Sequence, residues 1–351
     1  MAQELLLAQA DVQEEFFERG WTDGLPVVPP TPERVRAMLD HAGVEATEIV
    51  GTVPERSREI TANKAAINAV MAGCRVEYFP VVLAGLSAML DPRFGCHTVI
   101  TSTGGAALGA VVSGPLVKEL GFNTGRNALG PGCRANATVG RALRLVATNV
   151  LGAKTETLDG SSLGHPGKYT MLVAEEPPPE GWEPLRVELG YGEADTTVTM
   201  FPSESPHQVA NHLNGDPEGI LLTFAAAMTN PATYGVAKKH QVLLVIGYEH
   251  RRILAEAGWT KPAVREFLAE HTRVTPEHLA TGGVLLEFTA QNDMTPDADG
   301  RLATVRGPDD IFLVTAGSAG AGWSAYIPNW APVVHSQAVT RRVMPPGDGL
   351  P

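Results

Sequence analysis

Residues 121–150, GFNTGRNALGPGCRANATVGRALRLVATNV, are the stretch around which the rest of the chain is organised. Gly121, Gly125, Gly130, Pro131 and Gly132 recur too often in its first half for a helix or a strand to survive. From about Arg134 the pattern changes, and Val139, Leu143, Val146 and Val150 fall on one helical face. A glycine-rich loop running straight into a helix leaves backbone N–H groups free at the helix start. The helix dipole adds partial positive charge there, so the junction favours an anion. Arg126 and Arg134 bracket that point, and Asn123, Asn127 and Asn136 offer amides that both donate and accept. Cys133 sits at the junction itself, where a thiol beside a cation becomes a candidate nucleophile. Arg141 and Arg144 read as a solvated face. The loop is no Walker A motif, because no Gly-Lys-Ser/Thr follows, and its spacing does not fit a dinucleotide fingerprint.

Upstream, residues 4–19 read as an amphipathic helix with Leu5, Leu6, Val12, Phe16 and Phe17 inward. The run 21–39 reads as an extended connector past Trp21 and Asp23, then a helix capped by Thr31. Residues 61–73 and 78–90 read as two core helices. In 97–115, HTVITSTGGAALGAVVSGP, β-branched runs alternate with glycine and predict a strand, a turn at Thr103, and a second strand through Val111 and Val112. Downstream, His165, Lys168 and Tyr169 lie in a loop framed by Gly164 and Gly167 that feeds a strand at 171–174. Residues 175–184, EEPPPEGWEP, are a stiff Pro-rich connector.

Beyond the connector, 185–190 and 196–202 alternate as strands, 205–213 reads as a helix and 219–228 as a buried helix. QVLLVIG at 241–247 has the length and continuous apolarity of a central strand, followed by a helix through Ala257. An amphipathic helix spans 259–271, and a strand at 311–315 runs into a third glycine-rich loop carrying Ser318, Trp323 and Ser324. These elements predict an α/β fold with mixed sheet(s) packed by helices. Its two intimate α/β halves are residues 1–174 and 185–345.

Three Cys without paired spacing give neither a disulfide framework nor a zinc pattern, and suit a reducing cytosol. The net charge of −12 argues against a nucleic-acid partner. No apolar run reaches the ~18 residues of a membrane span. His207 and His212, five apart, would stand about 140° apart on a helix, so they are not a paired metal site. A ligand set drawn from separate loops (His165, His207, Glu249, His250) is compatible with the sequence. No GxSxG elbow occurs, and Ser318 and Ser324 have no base visible in the sequence.

The runs WTDGLPVVPPTPERV (21–35), NALGPGCRANATVGRALRLV (127–146) and LGHPGKYTML (163–172) together resemble bacterial proteins of the UGSC (seleno)protein-associated group. The resemblance covers roughly residues 10–335. That group takes its name from a selenocysteine-Gly-Ser-Cys motif carried by an associated small domain, and no Cys-Gly-Ser-Cys occurs here. The resemblance implies a cytosolic bacterial enzyme component and a separate small thiol or selenol partner subunit.

The leading expectation is a cytosolic small-molecule enzyme, a lyase or hydrolase acting on a carboxylate- or carbonyl-bearing substrate, in a homo-oligomer. His165, His207 and Cys133 are its candidate catalytic groups. Arg126, Arg134, Asn127, Asn136, Thr103, Lys168, Ser318 and Ser324 are its candidate binding groups, with three glycine-rich loops walling one pocket. No cofactor is specified by any motif. A substrate-binding or scaffold subunit completed by the thiol or selenol partner is the second reading, and a metal-dependent hydrolase the third.

Overall fold

The computed structural model describes residues 9–155, 157–213, 215–283 and 294–351. Helix α1 (Gln9–Glu18) begins the described chain, so Leu5 and Leu6 lie outside it. Helix α2 (Pro32–Ala42) follows the extended connector, with the Thr31 hydroxyl accepting from Arg34 N and Gly43 closing the other end left-handed. A hairpin of β1 (Ile49–Val53) and β2 (Arg58–Thr61) runs into α3 (Ala62–Ala72), where Thr61 and Gly73 play the same two parts. Each such Thr cap is worth about 1 kcal/mol, because it satisfies a donor that the helix leaves orphaned. Helix α4 (Phe79–Met89) is buried on nearly every face, as its composition demands.

Next come α5 (Cys96–Thr101), β3 (Ala107–Ser113), α6 (Leu116–Glu119), α7 (Arg134–Asn149) and β4 (Leu172–Ala174). After the Pro-rich stretch lie α8 (Leu185–Glu188), β5 (Thr197–Ser203), β6 (His207–Ala210), α9 (Pro217–Met228), β7 (His240–Ile246), α10 (Tyr248–Glu256) and α11 (Lys261–His271). A small ladder joins β8 (Arg273–Val274) to β9 (Leu302–Ala303), with α12 (Pro276–Thr281) between them in sequence. Strands β10 (Ile311–Thr315), β11 (Trp323–Pro332) and β12 (Val339–Arg342) complete the chain.

The fold is α/β, with a mixed eight-stranded sheet packed by helices. Its order is β10-β7-β11-β5-β3-β4, with β12 also on β5 and β6 also on β11. The pairs β7–β10 and β3–β4 are parallel, and the other neighbours are antiparallel. Strands from both sides of the Pro-rich stretch share this sheet, since β5 pairs along its whole length with β3. Helices α3, α4 and α7 bury their apolar faces against the β3, β5 and β12 region. Helices α9 and α11 cover β7, β10 and β11.

Three local expectations fail, and one strand was not foreseen. Residues 97–101 form α5 rather than a strand: Gly95 enters it in the left-handed region, and burial of Val99 and Ile100 outweighs the β-preference of the Thr/Val/Ile run. Residues 185–190 form α8, because Glu175 accepts from Leu185 N with both carboxylate oxygens and satisfies the first turn. Residues 205–213 contain strand β6 instead of a helix. Its Val209 faces the core and Gln208 faces out, and each residue from His207 to Ala210 has a β11 partner, so pairing decides the matter. The stretch after the third glycine-rich loop is the buried strand β11, which carries Pro328 opposite Val242 and a register shift before Pro332. Two prolines disguised that strand.

Candidate functional site

Helix α7 builds the larger cleft. Ala135, Val139, Ala142, Leu143 and Val146 bury one face. Arg141, Arg144 and Thr148, spaced by three and four, form a second stripe along the same helix. The expectation that Arg141 and Arg144 are a solvated face is therefore wrong. Arg141 grips Asp23 through two hydrogen bonds, Nε–Oδ2 2.8 Å and Nη2–Oδ1 2.7 Å, and also donates to the Leu25 and Pro26 carbonyls. Arg144 Nη2 stands 2.6 Å from Asp159 Oδ2. Gly140 lets the next segment cross the helix, since a Cβ there would lie 2.5 Å from Thr170 Oγ1. Loop 163–170 consequently runs beside α7 and brings in His165 and Lys168.

The resulting cleft has a volume of about 870 Å3, and the 20–24 turn, α7, Asp159 and the 163–169 loop line it. All three sequence runs that carry the family resemblance contribute to its wall. Asp159, 6% exposed, is the centre. It accepts from Arg144, from Lys168 Nζ at 2.8 Å, and from both the backbone N–H and the hydroxyl of Ser161. Burial alone would raise its carboxyl, but the hydrogen bonds from Lys168, Ser161 and Arg144 overcome this and hold it well below the usual carboxylate range. Lys168 also meets Ser161 Oγ. Burial lowers the Lys168 pKa, with Asp159 opposing and Arg144 reinforcing the shift.

His165 accepts from Gly167 N on Nδ1 at 3.2 Å, which leaves the neutral ring's proton on Nε2. That Nε2 is buried, turned toward protein atoms rather than open to solvent. Burial lowers the His165 pKa, and the Ser203 backbone offsets this in part. The lining charges are Arg144, Lys154 and Lys168 against Asp23 and Asp159, and Asp23 is already paired with Arg141. In a chain of net charge −12 this cleft is locally positive. Lys168 and His165 stand in its wall, with Lys168 and Arg144 both paired to Asp159.

The three glycine-rich loops do not wall one pocket. Loops 125–130 and 316–325 face each other across a second cleft of about 560 Å3, which Arg126, Asn127, Ser318 and Ser324 line. The Thr103 loop packs instead on the loop of the first cleft: Ser162 N donates to Thr103 O at 3.0 Å, and a Cβ on Gly105 would come within 2.8 Å of Gly164 Cα. Neither cleft is lined by Arg134, Asn136, Cys133, Thr103 or His207.

Most of those residues are occupied in holding the backbone. Arg134 Nε donates to Gly73 O at 2.9 Å and so satisfies the C-terminus of α3. Asn136 spends both amide atoms on the Asn123 backbone. Asn127 adopts φ +61° and donates to Pro131 O at 2.8 Å, closing the turn. The half-buried Cys133 thiol lies 3.3 Å from Gly121 O. His207 packs against the Tyr326 ring on an edge strand, where burial lowers its pKa.

Among the described residues no three His, Cys, Asp or Glu side chains gather as a metal-ligand set, so His165, His207, Glu249 and His250 do not form one. Asp159 and Ser161 went unnamed in the sequence, and Arg144 was read as a solvated residue. The signal for Arg144 was there, in the stripe it shares with Arg141 and Thr148, but Asp159 and Ser161 carried none. No helix among the described residues is long and apolar enough to cross a membrane. A scan against protein-family models finds no matching family, and a search of curated proteins finds no match.

Proposed function

We propose that this protein is a cytoplasmic small-molecule enzyme, a lyase or hydrolase that binds a carboxylate-bearing substrate in the α7 cleft and uses Lys168 and His165 for proton transfer. The observation that carries this reading is the placement of Lys168. It is a half-buried amine with a lowered pKa, held by Asp159 and Ser161 at the wall of a locally positive cleft. A lysine in that state releases its proton more readily than a surface lysine, which suits it to acid or base work. Arg144 keeps Asp159 ionised and adds to the positive field that receives the substrate anion. The His165 ring stands beside it in the cleft wall.

A reagent that needs no knowledge of the substrate tests this. Trinitrobenzenesulfonate, itself an anion, should modify Lys168 ahead of the surface lysines at pH 7.5. At least one member of a panel of C3–C6 mono- and dicarboxylates should protect it. Modification of Lys168 no faster than the bulk, with no carboxylate protecting, would return Lys168 to a structural role.

One observation favours the second reading, a subunit completed by a separate thiol- or selenol-bearing protein. Leu163, 97% exposed, and the exposed Tyr169 stand at the mouth of the same cleft and offer apolar surface to a covering partner. Replacing both with Ser should leave the Lys168 labelling rate unchanged if the chain works alone.

A further inference from the structure

The second cleft contains a group pair that the first does not use. It opens at the C-terminal ends of the parallel strands β7 and β10, where chain reversals in α/β sheets leave room for ligands. Ser324, at the start of β11, is 8% exposed and lines it. Its Oγ lies 2.7 Å from Nδ1 of His250, which is 1% exposed on α10.

The tautomer follows from the other ring nitrogen. His250 Nε2 stands 3.1 Å from the Asn211 carbonyl, which can only accept, so the neutral ring carries its proton on Nε2. Nδ1 therefore presents a lone pair, and the Ser324 hydroxyl donates to it. The Gly247 N–H donates to the same Oγ at 2.8 Å, which fixes the hydroxyl beside the imidazole. Asn211 is itself held, through its amide, by Thr223 Oγ1 and Gly219 O.

Two glycines make the crowding possible. A Cβ on Gly247 would fall 1.8 Å from Trp323 O, and one on Gly322 would fall 2.1 Å from Asn211 O. Any other residue at either position would separate the serine, the imidazole and the carbonyl. The arrangement is thus a hydroxyl, a base, and a group that orients the base, with a backbone carbonyl in the place a carboxylate often holds.

We propose that this cleft is a second catalytic site in which Ser324 is a nucleophile and His250 its general base, acting on a short carboxylic ester that carries an anionic group. Ser324 Oγ attacks the ester carbonyl as its proton passes to His250 Nδ1. The carbon–oxygen bond to the alcohol then breaks, and the alcohol leaves with that proton. Water attacks the acyl-serine, again giving its proton to His250, which returns one to Ser324 as the acid departs. The exposed Arg126 at the rim receives the anionic group. The run Gly317–Ala321 is small enough to leave the acyl part room, between the exposed faces of Tyr248 and Trp323. Burial lowers the His250 pKa despite the opposing Asn211 carbonyl and Glu249 carboxylate, so the imidazole stays neutral and able to accept.

A fluorophosphonate reagent applied to the full chain tests the assignment by mass mapping. The expected reaction forms an Oγ–phosphorus bond at Ser324 and expels fluoride, with the proton going to His250. One adduct per chain at Ser324 is expected, slowed about 100-fold in H250Q. Hydrolysis of the 4-nitrophenyl monoester of fumarate, whose trans carboxylate cannot reach its own ester, should outpace that of 4-nitrophenyl crotonate, and R126A should erase the difference. Absence of an adduct at Ser324 in the unaltered protein, or an adduct elsewhere such as Ser161, overturns the proposal without recourse to any variant that must fold. The Lys168 labelling is independent of this outcome, so failure at one cleft is not failure at the other.

Discussion

Substitution of Asp159 by Asn offers the sharpest test of the charge network in the α7 cleft. The side chain is 5% exposed and stands 2.6 Å from Arg144 and 2.8 Å from Lys168, so the change keeps the shape and removes the only anion between two cations. Breaking a buried ion pair from one side costs about 3–5 kcal/mol, most of it the penalty for leaving the partner unpaired. Unfolding entropy of about 2.1 cal/mol/K per residue over 351 residues gives ~0.7 kcal/mol/K, so the melting temperature should fall by about 4–7 °C near pH 6.5. The deficit also has a pH signature. Asp159 is depressed in the folded state, so its stabilisation is complete above the ordinary carboxyl value of 3.8 and is lost as pH falls from there toward the folded value. The gap between the two proteins should therefore narrow in acid. It should narrow again toward alkaline pH, because burial lowers the Lys168 pKa and loss of that proton relieves the repulsion from Arg144. Calorimetry at pH 3.5, 6.5 and 9 reads all three. A deficit below 1 °C at pH 6.5, or one equal at every pH, would refute the network as described.

Two further outcomes follow from burial elsewhere. Cys74 and Cys96 are buried, and desolvation pushes both thiols up to about 12, so Ellman's reagent at pH 8 should titrate one thiol in the native protein and three after denaturation. The single native thiol should vanish in C133S, and fast reaction of two or more would contradict the packing. Glu204 is pushed up to about 7 by burial, against the Gly235 and Tyr234 N–H groups and Lys238. The folded state holds its proton more tightly than the unfolded one between 4.5 and about 7, so stability declines as pH rises through that window. E204Q should flatten the decline in urea midpoint from pH 5 to pH 7.5, and parallel curves for the two proteins would count against it.

Much of the architecture was legible because it is written in local physics. Periodicity with a Thr cap gave α2 and α3, periodicity after a glycine-rich loop gave α7, and continuous apolarity gave β7 and β10. The failures share a cause. HTVIT, LRVELG and SPHQVANHL are each too short for their pattern to outweigh what they pack or pair against, and β11 hid behind two prolines. At the clefts, His165 and Lys168 stood out because a titratable loop between glycines is locally unusual. Asp159 did not, since a lone Asp in a glycine- and serine-rich turn looks like any other turn.

The sequence by itself determined that the chain folds as α/β and which titratable loops are unlike ordinary connectors, because those properties depend on residues within a few positions of one another. Only the tertiary structure decided that Arg144 faces Asp159 rather than water, that Ser324 has a base 74 positions away in His250, and that the glycine loops divide between two clefts. Partners so distant in the chain meet through sheet order and helix packing, and no local pattern encodes that meeting.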